Sequence, residues 1–72
     1  MYICKWNEPS RKEAEIKIWW TGECWKWYYR VMGPKFQYDQ GGWFGGIAGL
    51  KRRLREDFYP PKEARFRKVK DK

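Results

Sequence analysis

At 72 residues the chain has room for one domain, and its 36% charged and 21% aromatic content excludes both a disordered chain and a Leu-rich helical bundle. Its net charge of +8 favours an anionic partner, nucleic acid or an acidic protein, while its longest uncharged run, Gln40 to Leu50, is too short to cross a bilayer. With no histidine, two cysteines outside any CxxC pair, and Ser10 and Thr21 as the hydroxyl nucleophiles besides tyrosine, the composition argues against an enzyme, a metal site or a cofactor.

The chain begins Met1-Tyr2-Ile3-Cys4-Lys5-Trp6. Tyr2, Cys4 and Trp6 alternate with Ile3 and Lys5, a candidate strand before the turn residues Asn7-Glu8-Pro9-Ser10. The basic-then-apolar layout of a signal peptide is missing, so a cytoplasmic location with reduced thiols at Cys4 and Cys24 is expected. Ala14–Trp20 and Cys24–Met32 are rich in aromatic and β-branched residues and are separated by Thr21-Gly22-Glu23, which predicts a β-hairpin. An even loop sets Ile18 against Trp25, Ile16 against Trp27 and Ala14 against Tyr29, all apolar pairs. A three-residue loop would set Ile18 against Lys26. The even register also places Lys17 opposite Lys26, a like-charge pair that costs stability unless an anion lies nearby.

Gly33-Pro34 marks the next turn, and Lys35–Asp39 alternates as a third strand with Val31 facing Phe36 and Tyr29 facing Tyr38. The glycine-rich run Gly41-Gly42-Trp43-Phe44-Gly45-Gly46 then leads into a helix over 47–59, where Ile47, Leu50, Leu54 and Phe58 form one stripe and Pro60-Pro61 ends the element. Free N–H groups at such a helix start can hold a phosphate. The run matches neither GxGxxG nor GxxxxGK[ST], and the reading preferred here is that glycine lets the chain reverse sharply beside bulky indoles. Residues 62–72 carry Lys62, Arg65, Arg67, Lys68, Lys70 and Lys72 with Phe66 and Val69 as apolar anchors, a basic tail whose last few residues are expected to be mobile. The expected fold is therefore one α+β domain over 1–72: an antiparallel sheet, three-stranded, or four-stranded if the first residues join, packed against one C-terminal helix. Ile18, Trp27, Tyr29, Phe36, Leu50, Leu54 and Phe58 are its predicted core.

Burying Ile16, Ile18, Trp25, Trp27 and Tyr29 points Glu15, Lys17, Trp19, Lys26, Tyr28, Arg30 and Met32 the other way. Trp19 and Tyr28 beside Lys17, Lys26 and Arg30 offer base-stacking planes between phosphate-binding cations, as single-strand binders do on a sheet. The alternative is that this face is covered, by the N-terminal strand or the tail with Trp6 or Phe66 on Trp19, or by a second copy of the chain. Lys51, Arg52, Arg53 and Arg55 on the helix, with Arg65, Arg67, Lys68 and Lys70 in the tail, make a second basic patch suited to phosphate or carboxylate. The leading expectation is a non-enzymatic module binding single-stranded or duplex nucleic acid. A protein inhibitor or adaptor docking on a nucleic-acid-handling protein is the alternative, since Trp, Tyr and Arg also dominate protein hot spots, and a structural homodimer is the third reading.

From Ile16 to Leu54 the hairpin, the second strand Trp25-Lys26-Trp27-Tyr28-Tyr29-Arg30, a third short strand and the Gly-Gly-Trp-Phe-Gly-Gly lead into a helix resemble the small YegP-like repeat domains. That likeness implies a strand-strand-strand-helix unit and carries no activity. Three strands plus a helix is similar in shape to integrase-arm-type and ethylene-response-type DNA readers. The compact, tryptophan-rich, charged character also resembles phage accessory proteins, including anti-CRISPR inhibitors.

Overall fold

The computed structural model describes residues 1–7, 13–33 and 37–70. Its elements are β1 (Tyr2–Asn7), β2 (Glu13–Trp20), β3 (Trp25–Val31), β4 (Gln37–Trp43), α1 (Ile47–Phe58) and β5 (Arg67–Lys68). β1 to β4 form an antiparallel meander. The helix then crosses one face of the sheet and returns the chain to the free edge of β1, giving the order β4-β3-β2-β1-β5.

The class is α+β, as expected, with two corrections. The sheet has five strands where three or four were expected, because the alternating residues at both ends of the chain find backbone partners on the edge of β2 and then of β1. The helix lies mid-chain, since Arg67–Lys68 of the tail pairs with Tyr2 and Ile3 and the N–H of Val69 bonds the carbonyl of Met1 at 2.7 Å.

Alternation along β1, β2 and β3 sends Cys4, Trp6, Ala14, Ile16, Ile18 and Val31 to one face, where they close on Leu50 and Leu54 of the helix. Trp27, Tyr29 and Phe58 pack against this core, with Tyr29 and Phe58 stacked at 4.1 Å and Trp27 tilted onto Phe58 at 5.6 Å. Six of the seven expected core residues thus share one face, and Phe36 lies outside the described residues.

The hairpin keeps the expected faces but shifts its pairs by two. Ile18 meets Trp27, Ile16 meets Tyr29 and Ala14 meets Val31. Thr21 causes the shift: its Oγ1 accepts the N–H of Cys24 at 3.3 Å and its own N–H donates to the Cys24 carbonyl at 3.0 Å. Thr21–Cys24 becomes the loop, Gly22 takes φ +100° within it, and the first pair is Trp20 with Trp25. The expected Lys17–Lys26 clash disappears, since Lys17 now faces Tyr28 and Lys26 faces Trp19.

The third strand departs further. Val31 pairs with Gln37, Tyr29 with Asp39 and Arg30 with Tyr38, one residue away from the expected register, so Tyr38 changes face. β4 also continues through Gly41 and Gly42 to Trp43, residues expected to lie in the loop before the helix. The glycine at 41 is what seats the core there. A Cβ at that position would sit 2.8 Å from the Trp27 ring, so its absence lets the indole lie across the edge strand.

Candidate functional site

The opposite face of the sheet reads as a grid, because each row of paired residues crosses several strands. One row runs Arg67, Ile3, Lys17, Tyr28, Gln40 from β5 to β4. A second runs Lys5, Glu15, Arg30, Tyr38, and a third brings Trp19, Lys26 and Gly42 side by side. The five sheet residues singled out from the sequence, Lys17, Trp19, Lys26, Tyr28 and Arg30, therefore share one surface. Neither Trp6 nor Phe66 covers them: Trp6 turns inward to stack on Tyr29 at 6.2 Å, and Phe66 packs on the inner core.

Three aromatic rings cross this face on a diagonal. Trp19 lies 6.0 Å from Tyr28, and Tyr28 stacks on Tyr38 at 5.8 Å with an interplanar angle of 24°. Tyr38, half exposed at 50%, was expected on the inner sheet face opposite Tyr29 and is instead the third plane of this row. Lys17 Nζ lies 6.0 Å and the Arg30 guanidinium 5.6 Å from the Tyr28 centroid. A shallow groove of about 610 Å³ follows the row, lined by Lys17, Trp19, Trp20, Tyr28, Tyr38 and Gln40 with Met1.

Glu15 holds the centre of the face together, a role sequence reasoning missed. It is 8% exposed, accepts a hydrogen bond from the Tyr28 hydroxyl at 2.9 Å and one from Arg30 Nη2 at 2.7 Å, and lies 3.7 Å from Lys5 Nζ. The signal for it is a carboxylate on the outward parity of a strand whose neighbours on that face are Lys, Arg and Tyr. Burial, followed by the hydrogen bond and charge of Glu15, pushes the Tyr28 phenol up, with Arg30 opposing. The hydrogen bond to Glu15 fixes the orientation of the Tyr28 ring.

The helix patch is built differently. Lys51 places its ammonium 4.1 Å from the Tyr2 centroid, and Arg53 pairs with Asp57 at 3.1 Å. Arg55 donates to the Ala64 carbonyl and lies 5.8 Å from the Phe66 centroid, tying the tail to the helix. Arg52 is exposed. Arg65 and Arg67 stand apart from this patch, beside Ile3, Lys5 and Val69 in a second groove of about 580 Å³.

The glycine run leads into the helix without a side-chain cap, and the Trp43 indole N–H bonds the Gly46 carbonyl at 3.1 Å. A Cβ on Gly45 would meet that indole at 2.8 Å, so the run accommodates a tryptophan. Cys4 and Cys24 are buried free thiols, and burial raises the Cys4 pKa while Arg55 opposes the shift. Among the described residues no three His, Cys, Asp or Glu side chains gather as a metal site, and no helix is long and apolar enough to cross a membrane. Comparison with protein families, curated proteins and solved structures yields no match for this chain.

Proposed function

We propose that the chain is a non-enzymatic module that binds single-stranded nucleic acid on the outer face of its sheet. The observation that carries this reading is the row Trp19–Tyr28–Tyr38, three rings with centroids 6.0 and 5.8 Å apart and flanked by Lys17, Lys26 and Arg30 on the outer face of the sheet. Bases stack on such rings whatever their identity, and the cations meet the phosphates between them. A flat sheet face suits splayed bases better than duplex, whose bases are already stacked on one another.

Titrating the protein with single-stranded DNA, RNA and duplex of equal length, read by quenching of tryptophan fluorescence, tests the reading. Single strands should bind most tightly, and Trp19→Ala should cost about 1–3 kcal/mol of that affinity without changing its salt dependence, since stacking releases no counterions. No affinity for any strand at low salt would end this proposal and favour a protein partner docking on the same aromatic and arginine surface.

A further inference from the structure

The row Arg67–Ile3–Lys17–Tyr28–Gln40 joins two grooves: Lys17, Tyr28 and Gln40 line the aromatic one, and Ile3 and Arg67 line the one between β1 and the tail. Resting on the single-strand reading above, we propose that the bound strand continues past the aromatic row into this second groove, where Lys5, Arg65 and Arg67 hold its phosphates. The tail is then part of the binding surface.

Three observations carry the extension. First, the two grooves open on the same face, because Lys5 reaches Glu15 and Arg67 pairs with Ile3, whose other neighbour is Lys17. Second, the tail is pinned to the helix, the core and β1 at every second or third residue. Ala64 is buried and receives Arg55 at its carbonyl, Phe66 packs on the core, and the Val69 N–H bonds Met1. The intervening Arg65 and Arg67 are left exposed at the groove on a backbone already held in place, which lowers the entropy cost of binding. Third, Lys5 is held only loosely. Its 3.7 Å approach to Glu15 is made by a side chain 57% exposed, a pairing that competes weakly against a phosphate. Glu63, which also lines the groove, leaves three cations facing one carboxylate there.

The geometry sets a length. β1 and β5 extend the aromatic region by two inter-strand spacings of about 4.8 Å, room for about two nucleotides beyond the roughly three that stack on the rings.

Fluorescence anisotropy with oligothymidylates and oligouridylates of increasing length provides the test, using the full chain, the Arg65→Gln/Arg67→Gln double variant and its Arg65→Lys/Arg67→Lys counterpart. Affinity of the unaltered protein should rise up to about five nucleotides and level off, whereas the glutamine variant should level off at about three with a salt slope shallower by about 1.4, the loss of two phosphate contacts. The lysine variant keeps the charges and should restore the slope, which separates lost contacts from a damaged tail. If both variants match the unaltered protein in length dependence and slope while Trp19→Ala still weakens binding, the second groove is no part of the site although the aromatic row is. Failure of the unaltered protein to bind any oligonucleotide overturns both proposals.

Discussion

The helix and the outer sheet face carry similar basic clusters, and the fold engages more of the cations on the helix than on the sheet. On the helix, Lys51 lies over Tyr2, Arg53 pairs with Asp57 and Arg55 ties down the tail, while Arg52 is exposed. On the sheet, Lys17 and Lys26 lie beside Tyr28 and Trp19, and the one buried carboxylate orients Arg30 and Tyr28 without covering the rings. A count of charges cannot tell these regions apart. What separates them is how far each cation is already engaged within the fold.

The largest effect that would sharpen this contrast is in stability. Arg55→Ala removes a charged donor from the Ala64 carbonyl and the contact over Phe66, and should cost about 1.5–3 kcal/mol of unfolding free energy. Urea titration measures it, and binding per folded molecule should keep its salt slope. A variant as stable as the parent would mean that Arg55 is not structural and would return the helix patch to the list of contact surfaces.

A smaller effect concerns pH. The folded-state pKa values of Tyr28 and Cys4 are both raised. Deprotonation therefore favours the unfolded chain, so the stability tied to these groups is complete below their ordinary values of about 10 and 8.5 and is lost as pH rises through the folded values. Unfolding midpoints should fall on the alkaline side, first from Cys4 and then from Tyr28. Glu15→Gln should bring the Tyr28 phenol, followed by phenolate absorbance against a Tyr28→Phe control, back toward its ordinary value. An unchanged titration would show that Glu15 does not hold Tyr28.

Much of this contrast was legible in the sequence, and the failures have local causes. Period-two alternation in β2 and β3 assigned Ile16, Ile18, Trp27 and Tyr29 to one face and Lys17, Trp19, Lys26, Tyr28 and Arg30 to the other, because any even loop preserves parity. The pairing itself moved by two through a Thr21 side-chain bond that alternation does not encode. Tyr38 was misassigned because one residue of register in β4 flips a face, and because Gly41 and Gly42 look like a loop until the Trp27 ring is known to lie over Gly41. Pairing at the two chain ends depended on residues far apart in sequence, Ile3 with Arg67, which no local pattern announces. The helix stripe was read correctly, while the Lys51 and Arg55 contacts that remove those cations from the surface become visible only once the tail is folded back.

If single-stranded nucleic acid meets the sheet face and not the helix, paired charge removal on the two surfaces separates them. Single-strand affinity is to be measured across a range of salt for Lys17→Gln/Lys26→Gln and for Arg52→Gln/Arg53→Gln, each pair removing two positive charges from a different surface. The sheet pair should lower the salt slope by about 1.4 and the helix pair should leave it close to that of the unaltered protein. A slope that falls with the helix pair and holds with the sheet pair would contradict the account.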